Sequence, residues 1–184
     1  MAKTESVMLP LHTPAPDFAL PEVTTGASVK LDDFADRDAL LVMFICRHCP
    51  FVQHVEKGLA QLARDYAKKS VGIVAIASND IDSFPEDSPE SLREQAAEVG
   101  FIFPYLFDET QEVAHEFGAA CTPDFFLFNH DRKLVYRGQL DSSRPGSEIP
   151  VTGNDLRVAI DDVLAGMPVD TQQQPSLGCS IKWR

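Results

Sequence analysis

The run Ala39-Leu-Leu-Val-Met-Phe-Ile-Cys46 contains no polar side chain, and it breaks within a few residues into a helical repeat. An apolar run of strand length with no alternation reads as a central strand covered on both faces, as in a parallel sheet carrying helices on either side. After Pro50 the residues Val52, Val55, Leu59, Leu62 and Tyr66 recur at steps of three and four. That spacing predicts one face of an amphipathic helix, with Lys68 and Lys69 suited to its negative C-terminal end. The seam between strand and helix, Phe44 to His54, holds two cysteines, two histidines, an arginine and a proline.

The flanking sequence extends the same scheme. Val71 to Ala77 is a second buried strand, followed by an acidic loop from Ser78 to Glu90 that reads as solvated charge. Ser88 and Pro89 supply an N-cap and a proline at the first helical position, and Gly100 a stop. A short strand follows at Phe103 to Phe107, and Asp108 with Gln111 resembles a capping box opening a helix that ends at Gly118. Asp124 to Asn129 and Lys133 to Leu140 predict two strands joined as a hairpin, and Asn154 to Gly166 a closing helix. Upstream, the Pro-rich stretch Thr13 to Val23 is an entry segment feeding one edge strand. The order β, α, β, α, β, α, β, β, α predicts an α/β fold with a central mixed sheet between helices. Phe101, Phe103, Phe125, Phe126 and Phe128 belong to its core.

With 184 residues and 44% hydrophobic content, the chain can bury a core without disulfide staples. Residues 1–168 read as one domain and 169–184 as a C-terminal tail, whose Gln and Pro residues suggest reach and whose Ile181 and Trp183 suggest docking on the body or on a neighbouring subunit. A homodimer stays open. The N-terminus has no apolar stretch behind a basic one, so the expectation is a soluble, cytoplasmic protein whose thiols stay reduced. A net charge of −12 argues against nucleic acid or an anionic membrane as partner.

In such a setting each cysteine needs its own reading. Were Cys46 the helix N-cap, Pro50 would stand where an N–H should make the first intrahelical bond. With Cys49 as N-cap, Pro50 takes the first helical position, which proline favours. Cys49 then sits at the positive end of the helix dipole, where a thiolate is stabilised, and is the candidate nucleophile. Arg47, His48 and His54 could add positive charge beside it. Cys46 is the candidate resolving thiol. A metal site on Cys46, Cys49, His48 or His54 lacks a second C-x-x-C or H-x-x-x-H for its remaining ligands, so neither metal nor any other cofactor is expected. Cys121 reads either as a third redox partner or as a small buried apolar residue, and Cys179 as a resolving or a structural cysteine. His12, His115 and His130 read as solvated.

The pattern "FICRHCPF" after a buried strand, with "CTPDFFLF" about seventy residues on, resembles the thioredoxin-like superfamily. More closely, the chain is similar to peroxiredoxin-like thioredoxin family proteins, related to the alkyl hydroperoxide reductase and thiol-specific antioxidant group. The likeness runs from "APDF" through "ASND" and "FPEDSPE" to "VTGNDLRVAID" and "PSLGCSIKW". It implies a thioredoxin-like fold with a cis Thr122-Pro123 step facing the active cysteine, whose backbone could pair with an extended substrate strand. It implies an oxidoreductase acting on a protein or small-molecule disulfide, or on a hydroperoxide as an antioxidant, and regenerated by a reducing thiol system. Peroxiredoxins place a threonine or serine three residues before the reactive cysteine, where this chain has Cys46. They also use an arginine to activate peroxide, for which Arg137 and Arg144 are the candidates, though a solvated surface role suits both. Thioredoxins attack with the first cysteine of their pair, whereas the helix-start argument selects the second. A thioredoxin-fold copper-binding module is the remaining alternative.

Overall fold

The computed structural model describes residues 3–184. In chain order its elements are β1 (Lys3–Glu5), β2 (Ala19–Pro21), β3 (Ser28–Lys30), β4 (Ala39–Phe44), α1 (Pro50–Tyr66), β5 (Val71–Ala77), α2 (Pro89–Val99), β6 (Tyr105–Phe107), α3 (Glu112–Glu116), β7 (Cys121–Thr122), β8 (Asp124–Phe128), β9 (Leu134–Arg137), α4 (Asn154–Leu164) and β10 (Leu177–Ser180).

The apolar run becomes β4, buried at every position and central in a five-stranded sheet of order β6-β5-β4-β8-β9. β4 pairs parallel with β5 and antiparallel with β8, so the sheet is mixed. Because side chains alternate along a strand, the run divides between two cores. Leu41 and Met43 face α1 and α4, meeting Val52, Leu59, Leu156 and Ile160. Leu40, Val42 and Phe44 face the opposite layer, where α3 and the N-terminal segment bring Phe117 and Phe18. Phe117 is the hub of that second core, with its ring centroid 5.5–6.4 Å from those of Phe18, Phe44, Phe126 and Phe128 in tilted or edge-on arrangements. A fully buried side chain of this size contributes about 1.5–3 kcal/mol, so the two faces of β4 anchor the fold.

Local signals set the helix ends. Pro50 opens α1, and Pro89 opens α2 behind Ser88, whose hydroxyl accepts from the Ser91 N–H. Gly100 closes α2 with φ of 81°, a left-handed conformation that costs glycine little.

The entry segment feeds a hairpin of β2 with β3, which meets the edge strand β6 through the Glu22–Leu106 bridge and the Val23 N–H donated to the Tyr105 carbonyl oxygen, while Pro14 bridges Lys133 beside β9. One expectation needs correction. At α3 the capping box does not form. Asp108 alone accepts from the Val113 and Ala114 N–H groups, while Gln111 donates instead to the carbonyls of Ser78 and Lys182. The tail lies against the body, where its strand β10 sits between β1 and β7 in a three-stranded antiparallel sheet. Among the described residues no helix is long and apolar enough to cross a membrane.

Candidate active site

Cys49 is the N-cap of α1, with extended backbone (φ −76°, ψ 122°), and Pro50 is the first helical residue. The turn from β4 into this helix is pinned from three sides. Asp87, itself buried, accepts from the backbone N–H groups of Arg47 (2.8 Å) and His48 (3.1 Å), from His48 Nδ1 and from Asn79 Nδ2 (2.8 Å). Gln53 Nε2 donates to the Arg47 carbonyl at 2.9 Å, and buried Gln95 donates to that of Cys46 at 3.5 Å. Asp87 therefore corrects the reading of its loop as solvated charge. Nothing local to "FPEDSPE" distinguishes it from its acidic neighbours.

The β4–β8 register places Phe44 opposite Asp124, which brings the cis Thr122–Pro123 peptide beside the cysteines. Cys46 Sγ lies 3.3 Å from Thr122 Oγ1. Cys49 Sγ lies 3.2 Å from the Thr122 carbonyl oxygen, to which it donates when protonated. From the far end of the sequence, Cys179 brings its Sγ to 2.8 Å from that of Cys49. All four cysteines are unbridged and buried.

These contacts separate the thiols chemically. A hydrogen bond from Cys46 is the largest influence holding the Cys49 pKa down at about 5, against the opposing effect of burial and with further help from Cys179. The Val52 amide, in the first turn, adds to this electrostatically, since no first-turn N–H makes a formed cap hydrogen bond to the sulfur. Cys46 moves the other way: burial pushes it well above the ordinary thiol range, and its hydrogen bond to Cys49 pushes it further. Cys179 is lifted to about 12, by burial first and then by the hydrogen bond to Cys49. Burial likewise raises Cys121, whose thiol turns toward the Pro123 carbonyl oxygen at 3.5 Å. Among the four, Cys49 alone is favoured as a thiolate near neutral pH.

The charged neighbours are arranged differently from the sequence expectation. Arg47 spends its guanidinium on Glu94, Glu98 and the Ser91 carbonyl of α2, so it docks the turn on that helix rather than adding charge at the sulfur. His54 Nε2 bonds Ser143 Oγ at 2.7 Å. His48 stacks on Phe84, and its hydrogen bond to Asp87 raises its pKa, favouring the imidazolium. Arg137 and Arg144 are half-buried and engaged by the protein: the first binds the Leu9 carbonyl and Gln173, the second the carbonyls of Asp141 and Ser143 and the side chain of Gln139. His115 stacks on Trp183 with centroids 4.0 Å apart.

Donor atoms of Cys46, His48 and Asp87 gather within 4.8 Å of one another. Asp87 is ill suited to bind a cation there, because four protein donors already fill the roughly four acceptor positions of its carboxylate.

The arrangement has counterparts in other proteins. A family model described as Redoxin matches residues 10–156. An uncharacterized conserved protein from Geobacillus kaustophilus shares 55% identity over 100% of this chain and 97% of its own, with a TM-score of 0.98. A hypothetical protein from Sinorhizobium meliloti shares 49% identity over 98% of each chain, with a TM-score of 0.97. A secreted disulfide oxidoreductase of Mycobacterium tuberculosis superposes with a TM-score of 0.59 at 15% identity, over 82% of this chain and 96% of its own, a likeness of thioredoxin-like fold. No curated protein matches the chain.

Proposed function

The chain belongs to the redoxin family, and on that premise we propose that it is a thiol–disulfide oxidoreductase with Cys49 as nucleophile and Cys46 as the second thiol of the C-x-x-C pair. The observation that carries this reading is the place of the Cys49 sulfur, at a helix N-cap beside the cis Thr122–Pro123 step and 2.8 Å from the Cys179 sulfur, a setting that holds its pKa down. The thiolate attacks one sulfur of a substrate disulfide, forming a mixed disulfide and releasing the other sulfur as a thiolate that takes up a proton. A resolving thiol, Cys46 in the motif's own logic, then attacks Cys49 Sγ. A disulfide forms within the chain, the second substrate sulfur leaves, and the substrate has gained two electrons. A reducing thiol system returns the pair to its starting state. Thr122 and Pro123 frame the site, and His48 with Arg47 holds the turn against Asp87 and α2.

Dithiothreitol-driven reduction of insulin tests the reading. Cys49→Ser should fall to the uncatalysed rate and Cys46→Ser should slow multiple turnover; a Cys49→Ser variant with wild-type turnover would sink it.

Hydroperoxide reduction is the second reading, favoured by the enclosure of the site, which suits a small oxidant. Against it, Arg137 and Arg144 are committed to other partners. Stopped-flow oxidation by hydrogen peroxide separates the two: a Cys49 rate far above that of a free thiolate makes the protein a peroxidase, and a rate no higher leaves disulfide exchange.

A further inference from the structure

The edge of β7 beside Pro123 is where an extended substrate strand would add its backbone. In this chain the place is taken. β10 lies antiparallel along that edge, with Cys179 opposite Thr122 and Ser180 opposite Cys121, and β1 closes its other side. Contacts at both ends hold it. Ser176 donates from Oγ to the Pro123 carbonyl at 2.7 Å and from its N–H to Ser6 Oγ at 2.8 Å. Beyond the strand, Lys182 donates its N–H to Asn79 Oδ1 at 2.8 Å and Ile181 is buried. Gly178 is the residue that allows so close an approach, since a Cβ there would run into the Thr122 carbonyl. The next residue is Cys179, whose sulfur meets that of Cys49 at 2.8 Å.

We propose that β10 is an internal substrate strand and that Cys179 is a further catalytic residue, the thiol that first resolves the Cys49 mixed disulfide. The proposal rests on Cys49 being the nucleophile and replaces Cys46 in the resolving step. Cys46 and Cys179 both hydrogen-bond the Cys49 sulfur, but Cys46 Sγ is shared with Thr122 Oγ1 at 3.3 Å, whereas Cys179 Sγ stands 2.8 Å from the sulfur it would attack. Cys46 and Cys49 expose none of their surface and Cys179 2%, so β10 must part from β7 to admit a substrate and return to resolve it. The chemistry with a small disulfide is balanced. The Cys49 thiolate breaks the S–S bond of glutathione disulfide, forming Cys49–S–S–glutathione and a glutathione thiolate that accepts the Cys179 proton. The Cys179 thiolate then bonds to Cys49 Sγ, the mixed S–S bond breaks, and the second glutathione leaves as a thiolate and is protonated from solvent. Two sulfurs of the chain are oxidised and glutathione disulfide is reduced by two electrons. Two of the influences that keep Cys179 protonated, the hydrogen bond to Cys49 and the charge on it, vanish once Cys49 enters the mixed disulfide.

The test treats fully reduced protein with glutathione disulfide, quenches at intervals with acid, alkylates the remaining thiols and maps linked peptides by mass spectrometry. The expected first intramolecular bridge is Cys49–Cys179. Cys179→Ser should prolong the Cys49–glutathione adduct about tenfold or more, because an intramolecular thiol at high effective concentration has been removed. A first bridge between Cys46 and Cys49 in the wild-type protein, which requires no variant to fold, overturns the proposal and leaves the functional reading standing. Absence of any adduct or bridge at Cys49 overturns both.

Discussion

Both carboxylate oxygens of Asp87 are spent on the turn that carries the cysteines, so this residue holds the site although it touches neither sulfur in a hydrogen bond. Asp87→Ala would strand two backbone N–H groups and the His48 ring in a buried setting, and the expected loss is about 3 kcal/mol in chemical denaturation. Asp87→Asn separates charge from volume. The hydrogen bond to Asp87 is the chief reason that the His48 pKa is raised, so the asparagine should bring the imidazole titration, followed by NMR, back down toward the ordinary histidine value. An unmoved His48 titration would show that the pair does not act as an ion pair. Asp124, fully buried opposite Phe44, is a different case: burial lifts its pKa to about 7 against backbone hydrogen bonds from Ala120, Cys121 and Phe125, and Oδ1 has no partner among the described residues. Its folded pKa lies above the unfolded value of about 3.9, so the folded state holds the extra proton and stability falls as pH rises from about 4 to about 7. Asp124→Asn should therefore gain about 1 kcal/mol or more over wild type at pH 8 and nothing at pH 4. Equal differences at the two pH values would place the charge elsewhere.

At the scale of elements, β10 depends on its neighbours more than on its own residues. Gly178 sits against the Thr122 carbonyl, and Gly178→Ala would push the strand off the β7 edge. Overpacking of this kind costs about 1–3 kcal/mol, and the same displacement should speed alkylation of Cys49 in the reduced protein. A variant with unchanged Cys49 alkylation would mean that β10 does not cover the sulfur. The contrast with α1 explains which parts of the site the sequence disclosed. Cys49 could be placed at the helix start from Pro50 alone, and Ser88, Pro89 and Gly100 framed α2 in the same way, because caps act within a single turn. Asp87 meets Arg47 and His48 across about forty residues, and no pattern in its own loop distinguishes an anchoring acid from a solvated one. "LGCS" has little strand propensity and becomes a strand by pairing with β1 and β7, so the contact between Cys49 and Cys179, 130 residues apart, was equally hidden. The central sheet was legible for the opposite reason: a continuous apolar run such as β4 has few places to go except between two covered faces.

For the whole molecule, holding Cys49 as a thiolate couples redox chemistry to folding. A stabilised thiolate favours the reduced form over the disulfide, which makes the oxidised protein the stronger oxidant. It also makes the reduced fold depend on pH. A free cysteine in the unfolded chain titrates near 8.5, whereas Cys49 in the folded chain titrates at about 5. Between these values the unfolded state binds the additional proton, so this contribution to stability grows as pH rises from 5, is complete above about 8.5, and is lost as pH falls through 5. His48 works in the opposite sense: its raised pKa gives a contribution that is full below about 6.5 and is lost as pH climbs through the folded value. Asp124 also opposes the Cys49 trend below about pH 7. Comparing wild type with Cys49→Ser largely cancels those two groups, since both proteins retain them. Under reducing conditions the stability difference between the two, measured by chemical denaturation at pH 5, 7 and 8.5, should widen in favour of wild type by up to about 4 kcal/mol. Parallel pH curves would mean that folding does not stabilise the Cys49 thiolate, and the case for it as the nucleophile would lose its physical basis.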